Sequence, residues 1–164
     1  MAGAAYVVFD GDNDKWAYAY MNGWKANKNI DFTYENAHDL DTMTGRAQDE
    51  QYVKSKLRER MNKSTAVVVL VGEKTKNLYK YVRWELELAL ELGLPIIAAN
   101  LNEKNRQDSD RCPAIIRDKG GVVHIPYKLA ALKHAMANWP GEFSRMSAAD
   151  KAGGARYYTQ FDKT

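Results

Sequence analysis

Residues 65–71 read TAVVVLV, a run of seven with no charge and four valines. A strand with one wet face alternates apolar and polar side chains; this one does not. It therefore needs cover on both faces, and the usual way to provide it is a parallel sheet sandwiched between helices. A second such run, PIIAANL, occupies 95–101. The rest of the chain must then supply flanking strands and two layers of helix.

It does so in alternation. Ala5–Phe9 is a short apolar run that acidic residues stop at once, a first strand. Asn13 to about Asn27 carries Trp16, Tyr20 and Trp24 at spacing four, the period of one helical face. Ile30–Tyr34 alternates as a second strand, and Glu35–Gly45 is a polar loop. Val53, Leu57 and Met61 mark an amphipathic helix supported by the Glu50/Lys54 pair. Val122–Ile125 is a fifth strand, and Lys128–Trp139 a helix with Leu129, Leu132, Ala135 and Met136 on one face. This order predicts an α/β fold, a flavodoxin-like doubly wound five-stranded parallel sheet in the order 2-1-3-4-5. Residues 1–139 form the domain. Residues 140–164 are expected to be a C-terminal extension packing on it through Tyr157, Tyr158 and Phe161.

Composition narrows the function. A net charge of +3 without a dense basic cluster argues against nucleic acid. The single cysteine, Cys112, rules out an intramolecular disulfide and suits a reducing compartment. No apolar run reaches membrane-span length, and MAGAAYVVFD lacks the features of a signal peptide, so a cytoplasmic location without membrane contact is expected.

In open parallel sheets ligands bind outside the carboxyl ends of the strands, where strand order reverses. Here that edge is made by Asp10–Asp14, Gly72–Lys80 and Glu35–Gly45. One residue on it is out of pattern. In YVRWELELALELG, Val82, Leu86, Ala89, Leu90 and Leu92 share an apolar arc, and Glu85 falls inside it. A carboxylate there is either a first-turn acid snorkelling to water or a group lining a cavity. DGDND after the first strand would repel a flavin phosphate. VLVGEK after the third lacks the Asp that a phospho-receiver needs. No GxGxxG or Walker loop follows any strand, and the histidines and cysteine are too scattered for zinc. Asp10, Asp12 and Asp14 read as a turn and helix cap in preference to a site for a hard cation, so no metal is expected.

Three stretches together resemble one family. FDGDND (9–14), YVKSKLRERMNKSTAVVVLVGEKT (52–75) and YVRWELELALELGLPIIAANL (81–101) are similar to the F-D-x-D-N-D start, the basic helix with its apolar strand ending in Gly, and the W-V-x-[WY]-E-[IL] … G-x-P-I-I-G segment of the TIR-like (Toll/interleukin-1 receptor-like) domains of bacteria and archaea. That group includes the TIR-like protein of the Thoeris antiphage defence system. The likeness covers about residues 5–102. Val8 stands where members often have Ser, and Gly11 where they commonly have an aromatic.

The resemblance implies NAD⁺ as a substrate, with no separate cofactor, cleaved to nicotinamide and an ADP-ribose-type product, linear or cyclic, as a defence signal. It assigns the catalytic carboxylate to Glu85. Asp10, Gly11 and Asp12 would shape the ribose or nicotinamide side and Trp84 would wall the pocket. Arg46, Lys74 and Lys76 would face the pyrophosphate, if they are not simply solvated cations. His38 and Asp39 lie in the loop that in TIR domains often covers the site and mediates assembly, so self-assembly or a defence effector partner is expected. Two rivals stand beside this reading: a non-catalytic module that binds a nucleotide signal or assembles with proteins, and a deoxyribosyltransferase-like enzyme using Glu85 as a nucleophile.

Overall fold

The computed structural model describes residues 4–26, 33–35, 50–78 and 81–162. The strands are β1 (Ala4–Val8), β2 (Thr33–Glu35), β3 (Ala66–Val71), β4 (Ile96–Asn100), β5 (Val122–Pro126) and β6 (Arg156–Tyr157). The helices are α1 (Lys15–Ala26), α2 (Glu50–Asn62), α3 (Val82–Glu91), α4 (Leu129–Ser144) and α5 (Ala148–Ala152). All strand pairs are parallel, in the order β2-β1-β3-β4-β5-β6. The predicted 2-1-3-4-5 arrangement is present, and a two-residue β6 extends it beyond β5.

The valine run is covered on both faces, as its sequence requires. Ala66, Val68 and Leu70 pack with Ala5, Val7, Ile97, Ala99, Val123 and Ile125 beneath α1 and α4. Val67, Val69 and Val71 pack with Tyr6, Val8, Ile96, Ala98 and Val122 beneath α2 and α3. Successive side chains feed opposite layers, the period-two geometry of a strand acting on a sequence with no polar face to spare. Each layer is contiguous across the sheet, which joins the described elements into one packed unit.

Several elements differ in extent from the expectation. Only Thr33–Glu35 of the second strand lies within the described residues, and the loop beyond it lies outside them. Leu90, expected in the apolar arc of α3, is exposed; the buried stripe is Val82, Glu85, Leu86, Leu88 and Ala89. α4 does not stop at Trp139 but continues through Pro140 to Ser144. Proline removes one helical N–H, but Trp139 and Phe143 on either side of it both join the core layer. Among the described residues no helix is long and apolar enough to cross a membrane.

Candidate functional site

Glu85 is one turn into α3, four residues after Tyr81, whose carbonyl accepts its N–H at 2.8 Å. Its side chain turns inward, with 1% of its surface exposed. The Tyr6 hydroxyl donates to its Oε2 at 2.5 Å. Tyr6 is the middle residue of β1, buried on the α2–α3 face, so the pair joins the central sheet to the helix above it. A carboxylate in such surroundings requires donors, and a phenol aimed at one oxygen supplies a strong, oriented one.

The β1–α1 turn is built by Asp10. Its Oδ1 accepts from the N–H groups of Asp12 (2.9 Å) and Asn13 (3.3 Å), and its Oδ2 accepts from Asn13 Nδ2 at 2.7 Å. Asp10 is buried and committed to holding the turn, whereas Gly11 is half-buried and Asp12 exposed. Among the described residues no group of acids, histidines or cysteine is arranged to hold a metal ion.

Asp14, expected only as part of the cap, immediately precedes α1. It is 5% exposed and lies against the backbone of Gly72, just past β3. A Cβ at Gly72 would come within 2.3 Å of the Asp14 Oδ2, so only glycine leaves room for the carboxyl. Thr75, also buried, accepts the Gly72 N–H at 2.8 Å. Its hydroxyl lies 3.4 Å from Asp14 Oδ2 and 3.2 Å from the Leu70 carbonyl, and its single proton serves one of them at a time. Burial raises the Asp14 pKa to about 6. The Asp10 charge adds to the rise, and the Thr75 hydroxyl and the Arg111 guanidinium oppose it.

Asp14 opens on a crevice of about 260 Å³ at the carboxyl ends of the strands, lined also by Asn13, Trp16, Gly72, Glu73, Lys74, Leu101 and Arg111. This is where strand order predicts a ligand, and Lys74 is in it. Glu85 is not: it faces the sheet under α3, where Tyr6 meets it. Lys76 is exposed on a short 3-10 turn, Thr75–Asn77. Trp84 lies over a separate groove between α2 and α3, about 540 Å³, with the Lys54 ammonium 4.8 Å from its ring centre and Tyr81 stacked at 5.9 Å. His38, Asp39 and Arg46 fall outside the described residues.

Sequence reasoning missed Tyr6, Thr75 and Arg111, and read Asp14 as part of the helix cap. Only the first had a signal, since Tyr6 shares strand parity with Val8 and so faces α3. Arg111 arrives from a loop after β4, positioned because the Asp108 carboxylate accepts its N–H at 3.2 Å; no local pattern announces that.

No curated protein matches the chain. The family described as Thoeris protein ThsB, TIR-like domain, matches residues 6–106, more than half of the chain, and the match spans both Tyr6 and Glu85. With the parallel sheet in its expected order, the chain belongs to this family of defence-related TIR-like domains.

Proposed function

We propose that this protein is an NAD⁺-consuming TIR-like enzyme that breaks the bond between nicotinamide and ribose and releases an ADP-ribose-type product, linear or cyclic, as an antiphage signal. One observation carries the reading. The glutamate that matches the family's W-V-x-[WY]-E motif is also, among the described residues, the one carboxylate buried in the middle of an apolar helix stripe, held by Tyr6. Stability alone gives little reason to put an acid there.

The chemistry suits such a group. When the C–N bond breaks, its electron pair leaves with nicotinamide and positive charge develops on the ribose. The Glu85 carboxylate, in surroundings of low dielectric, stabilises that charge and accepts from ribose hydroxyls. Water, giving up a proton, or a nucleophilic atom of the substrate itself then captures the cation. Tyr6 would keep the carboxylate oriented through this sequence. Gly11, Asp12, Lys74, Lys76 and Trp84, with His38, Asp39 and Arg46, remain candidates for substrate contact. Because Glu85 is sealed, the ribose reaches it only after the cover opens, which suits an enzyme idle until self-assembly or a defence partner triggers it.

The same burial supports a second reading, a non-catalytic module in which the Tyr6–Glu85 pair only ties α3 to the sheet. Incubation with NAD⁺ and chromatography for nicotinamide separates the two, using concentrated and phage-triggered protein as well as dilute. The enzyme reading expects nicotinamide release that falls about 10²-fold or more in Glu85→Gln. No release under any of these conditions supports the module, and release unchanged in the variant would show that Glu85 is not the catalytic carboxylate. A trapped glycosyl adduct on Glu85 would instead point to deoxyribosyltransferase-like chemistry.

A further inference from the structure

We propose that the cavity at the amino ends of β4 and β5, on the sheet edge opposite the Asp14 crevice, binds a small monocarboxylate with an apolar body of about six carbons. Its first wall follows from how α3 ends. The helix closes on Gly93, at φ 66°, where the Gly93 N–H donates to the Leu90 carbonyl and the Leu94 N–H to the Ala89 carbonyl, both at 3.1 Å. Glycine takes that backbone angle without strain. The reversal sets Leu90 and Leu94 on one cavity, and Ile96 and Val122, the first residues of their strands, line it as well.

The opposite wall comes from the end of the chain. A Cβ at Gly121 would stand 3.1 Å from the Phe143 ring, and one at Gly120 would fall 1.8 Å from the Asp150 carbonyl oxygen. The two glycines therefore let α4 and α5 close on the start of β5. The Gly121 N–H donates to the Lys151 carbonyl at 3.1 Å and fixes Lys151 at the cavity. The enclosed space is about 150 Å³. An apolar cavity of that size holds a benzene-sized group, and it is too small for a nucleotide.

Charge selects the ligand's other end. Among the described residues, the charged side chains lining the cavity are Lys119 and Lys151, both half-buried. Neither forms an ion pair there. The Lys151 ammonium lies 4.2 Å from the centre of the Phe143 ring. The acids nearest in sequence are engaged elsewhere: Glu91 with Arg58, Asp118 with Gln107, and Asp150 in the cap of α5. Two cations beside apolar walls, with no acid between them, complement one carboxylate on a hydrocarbon body. A neutral hydrocarbon would leave both ammonium groups unused, and an inorganic anion would leave the walls bare. Phe143 and both lysines lie outside residues 6–106, so the site is a feature of this chain beyond the family match.

The test titrates phenylacetate into the full chain, with phenylacetamide as the neutral counterpart and acetate as the carboxylate without the ring, followed by calorimetry and amide NMR. Phenylacetate is expected to bind saturably and the other two at least roughly fivefold more weakly. The amides of Gly93, Leu94, Gly121 and Lys151 should shift on binding. Lys119→Gln and Lys151→Gln, both at solvent-reached positions, should each weaken phenylacetate roughly fivefold and leave phenylacetamide unchanged. Leu90→Ser, at a position 40% exposed, should weaken both aromatic ligands. No saturable binding of phenylacetate, equal affinity for phenylacetamide, indifference to both lysines, or amide shifts confined to another part of the molecule would each overturn the proposal.

Discussion

Glu85 and Tyr6 form a hydrogen bond whose energetics are governed by burial. Both side chains are withdrawn from water, so removing the Tyr6 hydroxyl takes a donor from the carboxylate without re-solvating it. Tyr6→Phe is expected to cost about 1–3 kcal/mol in urea unfolding. A double-mutant cycle with Glu85→Gln should show coupling of about 1 kcal/mol or more; coupling near zero would mean the pair does not interact. Glu85 was legible in the sequence because a helix has a period, and an acid inside its apolar stripe breaks it. Its partner was half-legible, since strand parity gives Tyr6 a face but not a depth. Asp14 and Arg111 were not legible as a pair. They meet because two loops from separate strands end at one sheet edge, a fact of topology that no window of residues contains.

Among the elements, the central strands were the easiest to read and the chain's end the hardest. A run such as TAVVVLV permits one environment, whereas the two residues of β6 are both exposed and carry no pattern. Residues 158–162 secure their pairing with Val123 and His124. Phe161 enters the α1–α4 core layer, His134 packs edge-on against Tyr158 and Phe161, and the Tyr158 hydroxyl donates to Glu142 at 3.1 Å. Asn105 Nδ2 donates to the Tyr158 carbonyl and to Asp162, both at 2.7 Å. The tail is thus fastened by one buried aromatic and a few polar contacts. Phe161→Ala is expected to cost about 3 kcal/mol and to release β6 from β5. Faster amide exchange along β5 would report the release, and unchanged exchange would contradict it. The overrun of α4 past Pro140 was illegible for a related reason: proline is a local stop signal, and packing of Trp139 and Phe143 outweighs it.

At the scale of the whole molecule, two buried groups make stability depend on pH in opposite directions. His124 is fully buried, and among the described residues neither ring nitrogen has a hydrogen-bond partner. Burial lowers its pKa from 6.5 to about 4, with Asp118 opposing. The unfolded chain therefore binds its proton first, and stability falls as pH drops from about 6.5 towards 4, by about 3 kcal/mol at most. Asp14 works the other way. Its pKa is raised from 3.8 to about 6, so its contribution is complete below 3.8 and is lost as pH rises through 6. His124→Leu should flatten the acid side of a Tm-against-pH curve, and Asp14→Asn the neutral side; identical curves for native protein and variants would refute both assignments. The most direct measurement of the central claim is a crystal structure with a non-cleavable NAD⁺ analogue. It is expected to place the nicotinamide-side ribose within hydrogen-bond distance of the Glu85 carboxylate, with α3 moved to admit it. An analogue bound elsewhere, with Glu85 still sealed against Tyr6, would contradict the account.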